Sequence, residues 1–336
     1  MLITKIYKPS EFNEAAKELR LGELVAFPTE TVYGLGADAT NEQAVKRVYL
    51  AKGRPSDNPL IVTVSSLEMV KRFVPSLSKE VEKIIEKFWP GSLTIVLKIK
   101  DGSLSKTVTG GLKTAAFRMP KNETTLNLIT ALGNPIVGPS ANSSGKPSPT
   151  TAQHVYHDLE GRIAGILDDG PTDVGVESTI IDMSTEIPTI LRPGAVTAEE
   201  IEKVIGKEVY NDKHKVKGNE IPKAPGMKYK HYAPSAQVLI VNKDNWNSAL
   251  QWANENKNQV GILADDEVLS KALENKTYSL GENVESAAKN LFAGLRYFDD
   301  DNQIKYILAE AFPEEGVGLA YMNRLKKSAG NQFYNK

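Results

Sequence analysis

Seven charged or small hydrogen-bonding side chains are the residues of this sequence best suited to bind an anion. Each lies in a polar segment that follows an apolar run, where the strand ends of an open α/β sheet gather their ligand groups. They are Lys52, Arg54, Arg118, Ser140, Asn142, Ser178 and Arg192. A nucleoside triphosphate carries roughly four negative charges and suits arginine forks and a lysine charge beside hydroxyl and amide donors. The alternative is four unrelated surface cations, since most basic residues are exposed.

Several other kinds of chemistry are excluded by residue type. The sequence has no cysteine, which removes disulfide frameworks, iron–sulfur clusters and thiol nucleophiles. All four histidines follow residue 153, so the first part of the chain contains no histidine of its own for a Ser-His-Asp triad. His154 and His157 have the spacing of two ligands on one helix face, but without a third ligand nearby a solvated face is favoured. We expect no metal site built from protein side chains.

Length and charge limit the class of protein. At 336 residues the chain is long enough for about two domains, and 41 basic against 42 acidic residues give a net charge of -1. That balance argues against wholesale coating of nucleic acid, so no stable nucleic-acid binding is expected. The sequence shows neither a signal-peptide pattern nor a membrane-spanning apolar run, which predicts a soluble, cytoplasmic protein without membrane contact.

Short apolar runs that are typical of strands alternate with helical stretches from Leu24 onward, which predicts a mixed α/β sheet. The runs are LVAF, LIVTV, LTIVLKI, AAFRM, PIVG, STIID and PTILRP. Helix starts are indicated where a serine or threonine stands three residues before glutamate or glutamine, because the two side chains satisfy free amides reciprocally. This spacing occurs at Thr40, Ser65 and Thr197.

A Lys-rich stretch without a sustained apolar period separates this part from a second unit. We predict a first domain over residues 1–205, a linker or lid over 206–235 and a second α/β domain over 236–336. The second unit contains the runs QVLIV, QVGILA and IKYILAE, a helix from Val284 to about Tyr297 and a basic final helix.

Two segments imitate nucleotide-binding loops and are rejected. The segment from Gly34 to Ala39 follows a strand-like run, but the next strand ends in Ser65 and Ser66 rather than in the acid that binds a ribose. We interpret it as a tight turn. SSGKPS lacks the first glycine of a phosphate loop and has Pro147 where a magnesium-binding hydroxyl should stand.

Six segments in this order resemble the YrdC-like domain of the threonylcarbamoyl-AMP synthases: PTETVYGLGADA, KGRPSDNPLIV, FRMP, PSANSSGKPSPT, GVESTII and LRPG. APGMKYKHYAP, followed by a second α/β unit, is similar to the long two-domain form of that family. The resemblance implies an α/β fold in which a YrdC-like twisted, mixed, open sheet is joined to a smaller Rossmann-like C-terminal domain.

The same resemblance implies an activity. L-threonine, bicarbonate or carbon dioxide, and ATP would give L-threonylcarbamoyladenylate and pyrophosphate, with magnesium on the phosphates. A separate tRNA threonylcarbamoyltransferase complex would then modify the adenosine beside the anticodon. The threonine amine captures carbon dioxide as a carbamate that attacks the α-phosphorus, so catalysis would consist mostly of positioning and charge neutralisation.

The functional residues of the family fall on particular positions of this chain. The catalytic set would be Lys52, Arg54, Ser140 and Asn142, which would bind the triphosphate and its metal. The ATP site would add Asn58, Thr114, Ser148, Arg192 and Tyr232, and the threonine site would contain Thr31, Thr63, Arg118, Gly138 and Ser178. Many members of the family have a histidine where this chain has Thr63, which leaves the details of amino-acid binding open.

The linker is predicted to act as a lid whose KYKHYAP end folds over the nucleotide site. Tyr229 and Tyr232 stand there among Lys228, Lys230 and His231. Such a lid would exclude water from a hydrolysable mixed anhydride. The alternative is a passive, solvated tether.

Two other functions remain open. An RNA-binding module could use the same cations to grip phosphates, although the sequence lacks an interleaved aromatic and basic platform. Carbamoyl transfer in hydrogenase maturation uses the same domain type inside a larger protein, but the absence of cysteine and of further domains argues against it.

Overall fold

The larger of two sheets contains eleven strands in the part of the chain that the structure describes. The computed structural model describes residues 2–56, 58–212, 222–224, 232–272, 274–299 and 301–335. The strands are β1 (Lys5–Tyr7), β2 (Val25–Phe27), β3 (Gly34–Asp38), β4 (Ile61–Thr63), β5 (Leu93–Lys98), β6 (Thr114–Arg118), β7 (Ile136–Val137), β8 (Gly165–Leu167), β9 (Thr179–Asp182), β10 (Thr189–Arg192) and β11 (Tyr210–Asn211). Their order is β1-β8-β2-β3-β7-β4-β6-β5-β9-β10-β11, and the neighbours include both parallel and antiparallel pairs. The predicted mixed sheet is confirmed.

The helices of this first unit, except the first, begin at side chains that accept backbone N–H groups. They are α1 (Phe12–Arg20), α2 (Glu42–Lys52), α3 (Leu67–Lys71), α4 (Lys79–Phe88), α5 (Lys106–Thr109), α6 (Glu123–Leu132), α7 (Ala152–Leu159) and α8 (Ala198–Ile205). The reciprocal cap predicted at Thr197 is present at the start of α8. The starts predicted at Thr40 and Ser65 are each one residue early, because Asn41 and Ser66 accept the free amides of α2 and α3.

The segment from Gly34 to Ala39, interpreted from the sequence as a tight turn, is strand β3 instead. It pairs antiparallel with β2 on one side and with β7 on the other. A Cβ atom on Gly34 would lie 2.4 Å from the ring of Phe27, and one on Gly36 would lie 2.7 Å from the carbonyl oxygen of Val25. Glycine is therefore required for close approach within a sheet and not for a turn.

The second unit is a smaller, fully parallel sheet. Its strands are β12 (Gln237–Val241), β13 (Val260–Ala264), β14 (Lys276–Ser279) and β15 (Tyr306–Glu310), in the order β12-β15-β13-β14. Its helices are α9 (Trp246–Glu255), α10 (Asp266–Leu269), α11 (Val284–Asp299) and α12 (Val317–Ala329). The apolar side chains of α9 pack on one face of the sheet, and those of α11 and α12 pack on the other. The predicted smaller α/β unit is confirmed.

Helices α11 and α12 lie against the first unit. Val32, Val176 and Tyr232 join the apolar cluster that these helices form with their own sheet. The backbones also meet, because a Cβ atom on Gly175 would lie 2.3 Å from the carbonyl oxygen of Lys289. The two units thus share an apolar contact region.

The division into residues 1–205, 206–235 and 236–336 stays a prediction. Strand β11 lies inside the segment assigned to the linker and pairs in parallel with β10 of the first sheet. In the part of the chain that the structure describes, none of the helices combines the length and apolar character needed to cross a bilayer.

Candidate active site

One pocket brings together most of the site residues expected from the sequence. Its wall includes Lys52, Arg54, Arg118, Gly138, Ser140, Asn142, Ser178, Arg192 and Tyr232. These residues come from the end of α2, from the ends of β6 and β10, from the segments after β7 and before β9, and from the linker. Residues from separate parts of the sequence therefore form one cationic pocket with small polar groups on its wall.

Lys52 is the last residue of α2 and is buried at the base of the pocket. Its Nζ donates to the carbonyl oxygen of Ser140, to that of Asn142 at 2.7 Å and to Asn142 Oδ1 at 3.3 Å. Burial, reinforced by the Arg54 cation, lowers the pKa of Lys52 well below its ordinary value. Gly53 then turns the chain at a φ of 62°, and Arg54 follows on the pocket wall.

The segment from Gly138 to Asn142 is held along strand β3. The amide of Leu35 donates to the carbonyl oxygen of Pro139 at 2.7 Å, and the amide of Ala141 donates to that of Tyr33 at 2.9 Å. Ser140 Oγ donates to Asn142 Oδ1 at 2.5 Å. These bonds fix the hydroxyl of Ser140 and the amide of Asn142 before any ligand arrives.

Arg118 ends β6 and forms a buried ion pair with Glu30, in which Nη2 lies 2.8 Å from Oε1. Glu30 also accepts the hydroxyl of Ser92 at 2.9 Å and the backbone N–H of Lys121 at 3.1 Å. The carboxylate is thus held by two hydrogen-bond donors, and its charge lies against the Arg118 guanidinium.

Ser178 and Arg192 form a second buried group. Arg192 donates to the carbonyl oxygen of Ser178 from Nε at 3.1 Å and from Nη2 at 2.9 Å, and Nη2 reaches Ser178 Oγ at 3.2 Å. Ser178 Oγ also lies 2.7 Å from Thr94 Oγ1. Burial and the nearby Arg324 cation lower the pKa of Arg192 to about 10, so this side chain is still a cation at neutral pH.

Glu177 places a carboxylate on the wall of this otherwise cationic pocket. Its Oε1 accepts the hydroxyl of Ser148 at 2.5 Å and its Oε2 accepts Nε of Arg324 at 3.0 Å. Burial alone would raise its pKa, but the cations Arg324 and Arg192 hold that pKa at about 2. Glu177 is therefore an anion whose charge is compensated by arginines.

Comparisons with known proteins decide what kind of protein carries this pocket. The family described as "Telomere recombination" matches residues 17–194, and the family described as "Threonylcarbamoyl-AMP synthase, C-terminal domain" matches residues 196–330. The chain belongs to the threonylcarbamoyl-AMP synthase family. Members of this family are enzymes that make an adenylate, which confirms the family predicted from the six motifs.

Relatives with the same two-domain length occur in bacteria and archaea. Threonylcarbamoyl-AMP synthase of Bacillus subtilis is 48% identical over 323 residues, which are 95% of this chain and 93% of the relative. That of Pyrococcus abyssi is 46% identical over 322 residues, 94% of this chain and 93% of the relative. The crystal structure of P. abyssi Sua5 complexed with L-threonine matches with a TM-score of 0.90 at 43% identity and covers 98% of each chain. The family fold therefore extends over both units of this chain.

Five expected site residues lie outside the pocket wall: Thr31, Asn58, Thr63, Thr114 and Ser148. The hydroxyl of Thr31 is buried and bonded to that of Thr29 at 2.9 Å. Thr63 packs behind Gly138, where a Cβ atom would lie 2.6 Å from its Oγ1. Ser148 is bonded to Glu177, and Thr114 begins β6 opposite Lys98. The roles assigned to these residues stay predictions.

Asn58 differs from the other four because its side chain has no hydrogen-bond partner within the described residues. The residue is fully buried, and neither its Oδ1 nor its Nδ2 has a hydrogen-bond partner there. A buried amide without partners costs about 1 to 3 kcal/mol, so an orphaned pair of this kind calls for an explanation. The carbonyl oxygen of Asn58 accepts Tyr49 Oη at 3.0 Å, which places the residue beside α2.

Much of the predicted lid, including Tyr229 and His231, lies outside the described residues, but three parts of the linker are described. Lys223 pairs with Asp182 at 2.9 Å, and Ala224 is buried among apolar residues of four neighbouring strands. Tyr232 is buried with a φ of 66°, and its ring lies 5.0 Å from that of Phe292. The linker is thus attached to the first sheet and to α11.

Sequence reasoning missed Glu30 and Glu177, although both are charged and lie at the site. A carboxylate is the wrong charge for an anion site, so composition gave no reason to select either. The available signal was position, because each stands inside a motif, PTETVYG or GVEST, next to a residue that was selected.

Proposed function

We propose that this protein makes L-threonylcarbamoyladenylate and pyrophosphate from L-threonine, bicarbonate or carbon dioxide, and ATP. The observation that carries the proposal is the pocket in which Lys52, Arg54, Arg118 and Arg192 meet beside Ser140 and Asn142. The P. abyssi relative, with its bound L-threonine, is 43% identical over 98% of this chain and supports the same amino acid here.

Arg118 would bind the threonine carboxylate through its planar guanidinium, which is ion-paired with Glu30. The hydroxyls of Ser178 and Thr31 would lie near the β-hydroxyl group. A buried site that pairs a substrate hydroxyl discriminates strongly against an amino acid that lacks it, because its own polar groups are otherwise left without partners.

Lys52 and Arg54 would neutralise the triphosphate while Ser140 and Asn142 orient it. A carbamate oxygen of N-carboxythreonine attacks the α-phosphorus, a new P–O bond forms, and the bond to pyrophosphate breaks. Binding of the polyanion would also restore the proton affinity that burial takes from Lys52. The side chains supply position and charge, and none of them accepts a proton in this scheme.

The residues fit a magnesium ion that is held mainly by phosphate oxygens and water. Ser140 Oγ and Asn142 Oδ1 are hard oxygen donors on the pocket wall, and magnesium prefers such donors at few protein positions. When bound, the ion would neutralise phosphate charge during the transfer. No group of three acidic or histidine side chains with metal-site geometry occurs among the described residues.

Asn58 supports the nucleotide assignment. Its buried and unpartnered amide lies beside Arg54, whose Nη2 is 3.5 Å from the Asn58 carbonyl oxygen. A ligand group that reaches this amide would relieve its desolvation cost. We assign Thr114 and Ser148 supporting roles at the same site, the latter through Glu177.

Downstream, the adenylate would pass in the cytoplasm to a separate tRNA threonylcarbamoyltransferase complex. A linker that covers the pocket would keep water from the mixed anhydride until then. The bond from Ala233 N to Gly145 O, at 2.9 Å, supports this lid because it joins the end of the linker to the pocket wall.

Burial argues against RNA binding as the main function. Lys52, Arg118 and Arg192 are 4%, 7% and 5% exposed, whereas RNA phosphates are gripped by side chains that a folded RNA can reach. A pocket of buried cations suits a small anionic substrate better than a nucleic-acid backbone.

The test is pyrophosphate release from ATP by the full chain with magnesium and bicarbonate, measured for each amino acid in turn. Release should require threonine and bicarbonate together and should be weaker with serine. Added tRNA should not alter the initial rate. Release that is independent of the amino acid, or that requires RNA, would refute the proposal.

A further inference from the structure

The second domain inserts two buried arginines into the segments that form the pocket. Arg296 lies on α11 and is 6% exposed, and Arg324 lies on α12 and is 0% exposed. An arginine is rarely buried to this degree unless its guanidinium is fully paired. Apart from Asn323, which accepts Arg324 Nη1 at 3.3 Å, the partners of both side chains lie in the first domain, next to residues of the site.

Arg324 bridges the two segments that carry Ser178 and Arg192. Its Nε donates to Glu177 Oε2 at 3.0 Å, its Nη2 donates to the Glu177 carbonyl oxygen at 3.1 Å, and its Nη1 donates to the Pro193 carbonyl oxygen at 2.6 Å. Glu177 precedes Ser178 and Pro193 follows Arg192. One guanidinium therefore sets the spacing of these two segments.

Arg296 holds the other side of the pocket. Its two terminal nitrogens donate to Asp158 at 3.1 Å and 2.9 Å, and Nη2 also donates to the Pro147 carbonyl oxygen at 2.6 Å. Asp158 in turn accepts the backbone N–H of Ser143 at 3.0 Å. The segment that follows Asn142 is thus fixed at both ends by one arginine of the second domain.

Arg324 also compensates the negative charge of Glu177 on the pocket wall. Glu177 accepts hydrogen bonds from Ser148 and from Arg324, and its negative charge adds to the burial that raises the pKa of Tyr232. Without Arg324 this carboxylate would keep its negative charge beside the phosphates and would turn to Arg192 as its nearest remaining cation. Arg192 would then be less available to an anionic substrate.

We infer that Arg324 and Arg296 are positioning residues of the nucleotide site, and that Arg324 acts by neutralising Glu177 so that Arg192 stays free for the phosphates. This inference rests on the proposed function and gives the second domain a role in it. A merely structural pair would affect folding but not the balance between ATP binding and turnover.

The experiment compares Arg324→Gln, Glu177→Gln and the double variant in the full chain, with KM for ATP and kcat measured by pyrophosphate release. Arg324→Gln should raise KM for ATP by about tenfold or more and change kcat less, since a ground-state charge balance is lost. In the double variant the repelling carboxylate is gone, so KM should fall back toward the wild-type value. Lys326→Gln removes a cation from the same helix, where it pairs with Glu314 outside the pocket, and is the matched control.

The inference would be overturned if KM for ATP in Arg324→Gln stayed within about twofold of wild type. It would also be overturned if the change in KM of the double variant equalled the product of the changes in the two single variants. Should Arg324→Gln not fold, the double variant is compared with wild type instead, because the wild type has both charges of the buried pair and the double variant has neither. Removing both charges together should then change KM by at most about threefold, and a larger change would contradict the mechanism. A wild-type protein that releases no pyrophosphate would refute the proposed function itself, whereas an active wild type with unaffected Arg324 variants refutes only this inference.

Discussion

The two domains each have a crevice at a sheet edge, and the two crevices carry opposite charge. The pocket of the first domain has five cations on its wall and one carboxylate, that of Glu177. The crevice at the carboxyl ends of β12, β13 and β15 has four carboxylates against two lysines: Asp244, Asp265, Glu267 and Glu310 against Lys243 and Lys271. A crevice beside strand ends therefore does not by itself imply one kind of ligand, because the second crevice would repel a triphosphate. The second domain serves the proposed reaction through the face formed by α11 and α12.

Removing a cation should have its largest effect in the first crevice. Lys52→Ala or Arg54→Ala should abolish adenylate formation, because the loss of a charge-assisted phosphate contact in a partly dry site costs on the order of 2 to 4 kcal/mol of transition-state stabilisation. Pyrophosphate release measures this, and circular dichroism checks the fold. Lys243→Ala in the second crevice is the control and should keep its activity. Equal losses in all three variants would mean that the difference between the crevices has no functional meaning.

The two crevices should also differ in their response to a substitution that changes the shape of a cation but keeps its charge. Arg118→Lys should weaken threonine binding by about 1.5 to 3 kcal/mol, because a lysine ammonium cannot form the planar two-bond grip on a carboxylate. Calorimetric titration with threonine measures the affinity. Lys271→Arg, in the second crevice, should leave the affinity for threonine unchanged. An unaltered affinity in Arg118→Lys would exclude this residue from the threonine site.

The acidic crevice should show itself in the pH dependence of stability. Burial raises the pKa of Glu310 from 4.5 to about 7, although the backbone N–H of Asp265 opposes this. Between these values the unfolded chain has lost the proton that the folded chain still holds, so the free energy of unfolding falls as the pH rises through this window.

Glu310→Gln keeps an acceptor for the backbone N–H of Asp265 and removes the buried charge that forms at high pH. The variant should therefore be more stable than wild type at pH 8, by about 1 to 2 kcal/mol after allowance for solvent screening. At pH 4 it should not be more stable, because Glu310 is then protonated in the folded wild type. Denaturant titrations at the two pH values measure the difference, and pyrophosphate release should stay at the wild-type level. If the difference in free energy of unfolding between variant and wild type were the same at both pH values, Glu310 would have the same pKa in the folded and in the unfolded chain.

The smallest effect is expected where the linker meets the pocket. Tyr232→Phe keeps the ring contact with Phe292 but loses the hydroxyl that interacts with the Glu177 charge, so KM for ATP should rise by the equivalent of about 0.5 to 1.5 kcal/mol. Tyr232→Ala should cost more, because the ring contact is lost as well. If the two variants behave alike, the hydroxyl rather than the ring holds the linker in place.

Most strands could be located along the sequence because an apolar run such as LTIVLKI is too short for a buried helix and suits a buried strand. Strand β14 was missed because Lys276–Ser279 has no apolar run and its side chains are only half-buried. The turn proposed at Gly34 was wrong because the reason for this glycine is the ring of Phe27, and a packing contact of that kind leaves no local pattern.

The cations of the site could be selected by residue type, but their partners could not. Arg324 and Glu177 are 147 positions apart in the chain, and nothing in the composition of either segment connects them. Glu30 was passed over for a similar reason, since its partner Arg118 comes from another strand. Only the folded chain shows that a cationic pocket contains carboxylates that hold its cations in place.

The position of Glu177 also bears on how the protein unfolds. Its carboxylate accepts Ser148 of the first domain and Arg324 of the second domain, so melting either domain removes hydrogen bonds from the other. The two sheets are therefore expected to unfold in one cooperative transition rather than in two. A nucleotide that binds in the first domain would then slow amide hydrogen exchange in α12, although it touches no residue of that helix.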